Sequence, residues 1–122
     1  MAVGPTAATA NTFLDTIDGT YAKLHIGDPG ASGTANTATE TTRQLMSLGT
    51  SSGGSVTNDT ALTWTSIAGS QDASHISLWT TIGPSDGVCV WTGLITASAY
   101  TAGNTFEIAI GGATLSLSPV AA

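Results

Sequence analysis

Residues 21–30 read YAKLHIGDPG, an alternating segment that ends in a strong turn signal. Every second side chain is apolar, which is the period of a β-strand with one buried face, and these side chains are Ala22, Leu24 and Ile26. The opposite face carries Tyr21, Lys23 and His25. The tetrapeptide GDPG then ends the strand, because proline fixes φ, glycine permits positive φ and aspartate bonds to the nearby backbone. The segment predicts a strand followed by a tight turn that Asp28 stabilises.

A different period precedes this strand. Ala10, Phe13, Leu14 and Ile17 lie at positions i, i+3, i+4 and i+7, which places them on one face of a helix. Gly19 follows and is well placed to end that helix. We therefore predict one short N-terminal helix over about residues 8–18, with strands from about residue 21 onward.

Downstream, the period of two recurs in short segments that turn residues separate, and the predicted strands cover residues 43–48, 62–65, 75–79, 88–95, 106–110 and 115–117. Polar, irregular connections fill residues 30–42 and 49–58. Ile110 is expected to face the core together with Phe106 and Ile108. Gly111 and Gly112 then predict that the last two strands form a hairpin. The expected fold is mainly β, a single domain over residues 1–122 that forms an antiparallel β-sandwich or partly closed barrel of six to eight short strands.

Charged residues are rare in this chain. Asp, Glu, Lys and Arg make up 8% of it, whereas Ser, Thr, Gly and Ala make up more than half. Such a surface packs against other proteins without desolvating many charges, which is typical of an assembly component. Lys23 and Arg43 are the only basic residues beside eight acids, so binding to nucleic acid or to an anionic membrane is not expected.

Two further features bear on location. No apolar stretch reaches the 18 residues of a membrane-spanning helix, and residues 1–10 do not resemble a signal peptide. Cys89 is the only cysteine, so no internal disulfide can form, and the expected role of Cys89 is that of a small buried apolar residue. Together these features favour synthesis and assembly in a cytoplasm.

The sequence offers little material for a catalytic or metal site. Residues 49–53 fit the string G-x-S-x-G. That nucleophile motif requires a helix after the serine, and no helical period follows Ser51. His25 and His75 are expected to be hydrogen-bonded strand residues that face solvent or a neighbour, and the carboxylates occur singly. We predict no catalysis, no cofactor and no metal. The enzymatic alternative is a small hydrolase in which Ser51 or a carboxylate meets one of the two histidines.

The tryptophans are the most informative large residues. Trp64 lies on the apolar face of its strand and is expected in the core. Trp79 shares a face with His75 and Ser77, which predicts a position at an interface. Stacking against a sugar ring and burial in the core are the alternatives for Trp79.

Several segments together resemble a known family. They are LHIGDPGASGTAN at 24–36, TRQ at 42–44, HISLW at 75–79, WTGL at 91–94, GNTF at 103–106 and LSL at 115–117. The sequence resembles small structural proteins of actinobacterial tailed phages that share an LHxGDPGxxGTxN motif and are of capsid decoration, minor tail or tail-fibre type. The resemblance covers nearly the whole chain and implies a non-enzymatic virion protein with a β-sandwich-like fold.

Within that family, the chain lacks heptads and a fibre stalk, so the first expectation is a capsid decoration or minor capsid protein on the outer surface of the capsid. It would bind the major capsid protein and copies of itself, as dimers or trimers, by a flat sheet face, its termini and the loops 30–42 and 49–60. The candidate interface residues are Trp79, His75, Tyr21, Arg43 and Asp28. The alternative is a tail-tip or tail-fibre module that binds host-surface glycan through an exposed Trp79.

Overall fold

The computed structural model describes residues 6–83 and 86–116, and within them the chain forms one helix and eight strands. The elements are α1 (Ala7–Asp15), β1 (Tyr21–His25), β2 (Gln44–Leu45), β3 (Ser55–Thr57), β4 (Leu62–Trp64), β5 (Gln71–Trp79), β6 (Cys89–Tyr100), β7 (Phe106–Ile108) and β8 (Ala113–Ser116). The mainly β class with one short N-terminal helix is thus confirmed. Leu117 and both chain ends, to which we assigned a strand and capsid contacts, lie outside the described residues.

The strands form a curled half-barrel and a small second sheet. Six strands pair in the order β2-β1-β5-β6-β8-β3, and β4 pairs with β7; all of these pairs are antiparallel. The two longest strands, β5 and β6, lie at the centre of the large sheet, and β5 carries irregularities at Ala73/His75 and Leu78/Trp79. Such bulges increase local twist, which helps the sheet to curl.

One hydrophobic core lies between the large sheet, the small sheet and α1. Successive side chains of a strand point to opposite faces of the sheet, so every second residue can enter the core. Leu24, Ile76 and Leu115 point inward in this way from three strands of the large sheet and are fully buried. Trp64 of β4 is buried as predicted, and its Nε1 donates to the carbonyl of Thr42 at 2.8 Å. No helix among residues 6–83 and 86–116 is long and apolar enough to cross a membrane.

The helix is shorter than its apolar stripe. Thr6 caps α1 by accepting from the N–H of Thr9, and Ala10 and Leu14 are its buried residues. Phe13 was placed on the buried stripe but is exposed. The helix ends at Asp15 because the chain then turns, with Gly19 at φ +81° donating its N–H to the carbonyl of Met46.

The predicted C-terminal hairpin is wrong. β7 pairs with β4, whereas β8 lies between β6 and β3. The glycine pair does turn the chain, but Asn58 holds this turn: its side chain donates to the Ala109 carbonyl and accepts from the Ala113 N–H. The turn therefore carries the chain from the small sheet into the large one, and Ile110, predicted inward, is 69% exposed.

Two other boundaries also differ from the prediction. The segment 49–58, predicted to be a loop, contains the edge strand β3, in which Val56 is buried against β8. The strand predicted over residues 43–48 is reduced to Gln44–Leu45. Both strands lie at the ends of the large sheet, where only one side of the strand is paired.

Candidate functional site

Residues 27–36, the motif loop, fold back over the outer face of the large sheet, which is the face turned away from the core. The loop closes where Ile26 N–H donates to the Asn36 carbonyl at 2.8 Å and where Ala35 N–H donates to the Pro29 carbonyl at 3.0 Å. Asp28 accepts from the N–H of Gly30 at 2.9 Å, which confirms its predicted role in the turn. The sequence motif therefore encodes a loop with its own backbone framework.

His25 fastens this loop to the sheet. Its Nδ1 lies 2.8 Å from the Ala35 carbonyl, and its Nε2 lies 2.7 Å from Ser77 Oγ, which also accepts from Trp79 Nε1 at 2.7 Å. A carbonyl only accepts, so Nδ1 carries the proton, and Nε2 of the neutral ring accepts from the Ser77 hydroxyl. The imidazole is fully buried, contrary to the expectation that it faces solvent or a neighbour, because the loop covers it.

This geometry suits only a neutral imidazole. Burial lowers the pKa of His25, and the nearby Lys23 and His75 lower it further, while the bonds to the backbone of Ala35 and Asn36 oppose these effects only in part. A proton on Nε2 would also make Nε2 a donor toward Ser77 Oγ. The hydroxyl hydrogen of Ser77 would then lose its acceptor. The folded state therefore binds this proton less readily than the unfolded chain does.

We expect the free energy of unfolding to decrease as the pH falls below about 6.5, the ordinary pKa of histidine. Above that pH the stabilisation is fully present, because both states are neutral at His25. Below it the unfolded chain takes up the proton first, so stability is lost toward the lowered pKa of the folded state, at up to about 1.4 kcal/mol per pH unit. Urea unfolding between pH 7.5 and 5.5 measures this slope, and a flat profile would contradict it.

The predicted interface residues Trp79 and Arg43 are engaged within the chain. Arg43 is only 2% exposed, its guanidinium lies 4.3 Å from the centroid of the Trp79 ring, and its Nη1 donates to the carbonyls of Thr81 and Asp86. Trp79 is partly buried between this guanidinium and the motif loop. Arg43 thus stabilises the β5–β6 connection, and Trp79, being partly buried, is not the exposed stacking platform of the glycan alternative.

Tyr21 is partly buried on the outer face, directly opposite Trp79 in the sheet register. Cys89, expected to be buried, is partly buried beneath Gly33, and burial raises the pKa of its thiol. The expectation that the five candidate residues contact a partner stays a prediction.

Beside the motif loop, the outer face contains a groove of about 250 Å³ lined by Asp28, His75, Thr92, Gly93, Leu94, Thr114 and Ser116. Two of the predicted residues, Asp28 from the loop and His75 from β5, come together here. Sequence reasoning missed the groove residues of β6 and β8. Only the register could have found them, since Leu94 pairs with both His75 and Thr114.

Of the pairs that the hydrolase alternative requires, Asp28 and His75 do share the groove, whereas Ser51 lies elsewhere and has other partners. Ser51 Oγ lies 2.9 Å from Asp15 Oδ1 and 3.2 Å from the Asn11 carbonyl, and these contacts tie its loop to α1. His25 bonds to Ala35 and Ser77, and His75 Nδ1 bonds to Ser74 Oγ at 2.8 Å. Among the described residues no three His, Cys, Asp or Glu side chains are placed to hold a metal ion.

A protein family matches this β domain over most of its length. The family described as Podophage GP4 fiber I protein gp80 matches residues 6–116, which include every strand described above. No curated protein matches the chain. Because the match covers most of its length, the chain belongs to this family of podophage fibre proteins and is a phage structural protein.

Proposed function

We propose that the chain is a module of the phage tail fibre through which the particle binds glycan on the host surface. The family match over residues 6–116 carries the fibre part of this proposal, because that family is named for a fibre protein. It favours the fibre over the capsid decoration role that the sequence first suggested. Other fibre proteins and copies of this chain, as dimers or trimers, are the partners that such a role requires. The resemblance to structural proteins of actinobacterial phages stays a prediction.

The outer face of the sheet supports the same choice. A decoration protein that binds by a flat sheet face needs that face open, but here the motif loop covers part of it and buries His25 and Ser77. The large sheet is also curled rather than flat. What the outer face offers is a loop and a groove, which suit a small ligand better than a broad protein surface.

The copy number of this chain in purified particles, relative to the major capsid protein, tests the location. We expect a small fixed number of copies per particle, and antibody label at the tail in electron micrographs. A ratio near one, or a simple fraction set by capsid symmetry, with label over the shell, would overturn the fibre assignment and restore the decoration role.

A further inference from the structure

The groove beside the motif loop carries polar groups that are held in place. One oxygen of Asp28 accepts the Gly30 N–H, which fixes the carboxylate and leaves its other oxygen as an acceptor. His75 Nδ1 is held by Ser74 Oγ at 2.8 Å, which leaves Nε2 as the second polar atom of the ring. Thr114 and Ser116 lie two residues apart on β8. Thr114 adds a hydroxyl that can both donate and accept, and Ser116, whose Oγ donates to Ser55 Oγ, adds an acceptor.

An apolar side chain lies among these polar groups. Leu94 is 60% exposed, although it belongs to the central strand β6. It is the register partner of His75 on one side and of Thr114 on the other. A ligand seated in the groove would therefore contact an aliphatic surface with hydrogen-bonding groups on both flanks.

This combination matches the surface of a sugar ring. A pyranose has hydroxyls around its edge and aliphatic C–H groups on its faces, so it can pack on Leu94 while its hydroxyls bond to the carboxylate, the imidazole and the threonines. The groove, at about 250 Å³, is smaller than the ~300–1,000 Å³ of sites that enclose drug-sized ligands. It can therefore hold one sugar unit of a longer chain.

Charge further restricts the kind of sugar. The chain has a formal net charge of −6, and Asp28 contributes one negative charge directly to the groove. Neither of its two basic residues lines the groove, since Arg43 is buried under the β5–β6 connection and Lys23 lies on β1. A sugar carboxylate or sulfate would meet the Asp28 carboxylate without a lysine or arginine in the groove lining to offset the repulsion.

We infer that this groove binds a neutral saccharide unit, with Asp28, His75 and Thr114 bonding its hydroxyls and Leu94 packing against its ring. This inference rests on the proposed fibre function, because it identifies the groove as the place where the fibre module meets host glycan. It replaces Trp79 with Leu94 as the apolar contact.

The test is an NMR titration of the ¹⁵N-labelled full chain with glucose, galactose, mannose and N-acetylglucosamine, and with glucuronic acid as the matched acidic probe. We expect saturable shifts of the Thr92, Leu94 and Thr114 amides with at least one neutral sugar. Glucuronic acid should bind at least tenfold more weakly than glucose if glucose binds. Absence of saturation by every neutral sugar at 100 mM, or tighter binding of glucuronic acid, would overturn the inference.

Variants connect the shifts to the groove. Thr114→Val keeps the shape and removes one hydroxyl, and Asp28→Asn keeps the acceptor for Gly30 N–H while removing the charge. Each should weaken binding about fivefold or more, the factor of one hydrogen bond of ~1 kcal/mol. Thr63→Val, on β4 of the small sheet, is the matched control and should leave affinity unchanged. If Thr114→Val and Asp28→Asn bound the sugar as tightly as Thr63→Val does, the sugar would bind elsewhere and the inference would be refuted.

The two proposals fail separately. If the antibody labels the tail but no sugar binds in the groove, the fibre assignment stands and the saccharide site is refuted. Sugar binding in the groove with label over the capsid would do the reverse.

Discussion

Replacing His25 with phenylalanine is expected to lower the free energy of unfolding by about 2–4 kcal/mol and to loosen the motif loop. Phenylalanine is somewhat larger than histidine and leaves no cavity, so the effect reports the lost hydrogen bonds together with the cost of fitting the larger ring. It leaves the fully buried Ser77 hydroxyl without its acceptor, and it leaves the Ala35 carbonyl, in the part-buried loop, without its donor. Each unsatisfied buried group costs about 1–3 kcal/mol.

Urea unfolding measures the loss of stability, and hydrogen exchange of the Ala35 and Ile26 amides measures the loosening of the loop. His75→Phe is the matched control, because His75 is the register partner of His25 but is only partly buried. We expect it to cost less than about 1 kcal/mol. The His25 variant should also lose the pH dependence between 7.5 and 5.5. If both variants cost the same, or if Ala35 keeps its protection, His25 does not fasten the loop.

The role of His25 shows where sequence reasoning succeeds and where it stops. Alternation correctly placed Ala22 and Leu24 on the buried face of β1 and His25 on the other, but Ile26, predicted on the buried face, is exposed because β1 ends at His25. The GDPG signal correctly predicted a turn after the strand. Neither pattern could show that the ten residues after His25 return to cover it, because that cover comes from a loop and alternation reports only on the strand.

Strand pairing failed for a related reason. Neighbouring strands usually pair, and the glycine pair at 111–112 made the hairpin of the last two strands the natural expectation. In the structure, Phe106 of β7 pairs with Trp64 of β4, and the two rings lie 6.1 Å apart in the core. The gain comes from burying two aromatic side chains that are distant in sequence, and no local pattern records it.

Arg43 and Trp79 show the same limit at the candidate site. A rare charge and a tryptophan on a polar face suggested a surface for a partner, since both residue types are enriched in interfaces. Here they contact each other, with the guanidinium 4.3 Å from the ring centroid. In contrast, the groove depends on Leu94, which the strand pattern of residues 88–95 gave no reason to single out.

Gly33→Ala should also destabilise the chain strongly, by about 2–5 kcal/mol, for two separable reasons. Gly33 has φ +71°, where a side chain costs about 1–2 kcal/mol. It also lies against the sheet, so that an added Cβ would overlap Cys89 Sγ and lie 2.9 Å from Cys89 Cβ. Overpacking of this kind adds about 1–3 kcal/mol unless the loop moves away.

Gly53→Ala separates the two causes. Gly53 has φ +60° and nothing within 4 Å of an added Cβ, so its substitution should show only the backbone cost of about 1–2 kcal/mol. The amount by which Gly33→Ala destabilises more than Gly53→Ala measures the contact between the motif loop and β6. Adding Cys89→Ala to Gly33→Ala removes the sulfur but not the Cβ, so we expect it to recover part of that excess, about 1 kcal/mol in a double-mutant cycle. Equal costs at Gly33 and Gly53, or no coupling to Cys89, would mean that the loop is not packed on the sheet and that the groove beside it lacks a fixed wall.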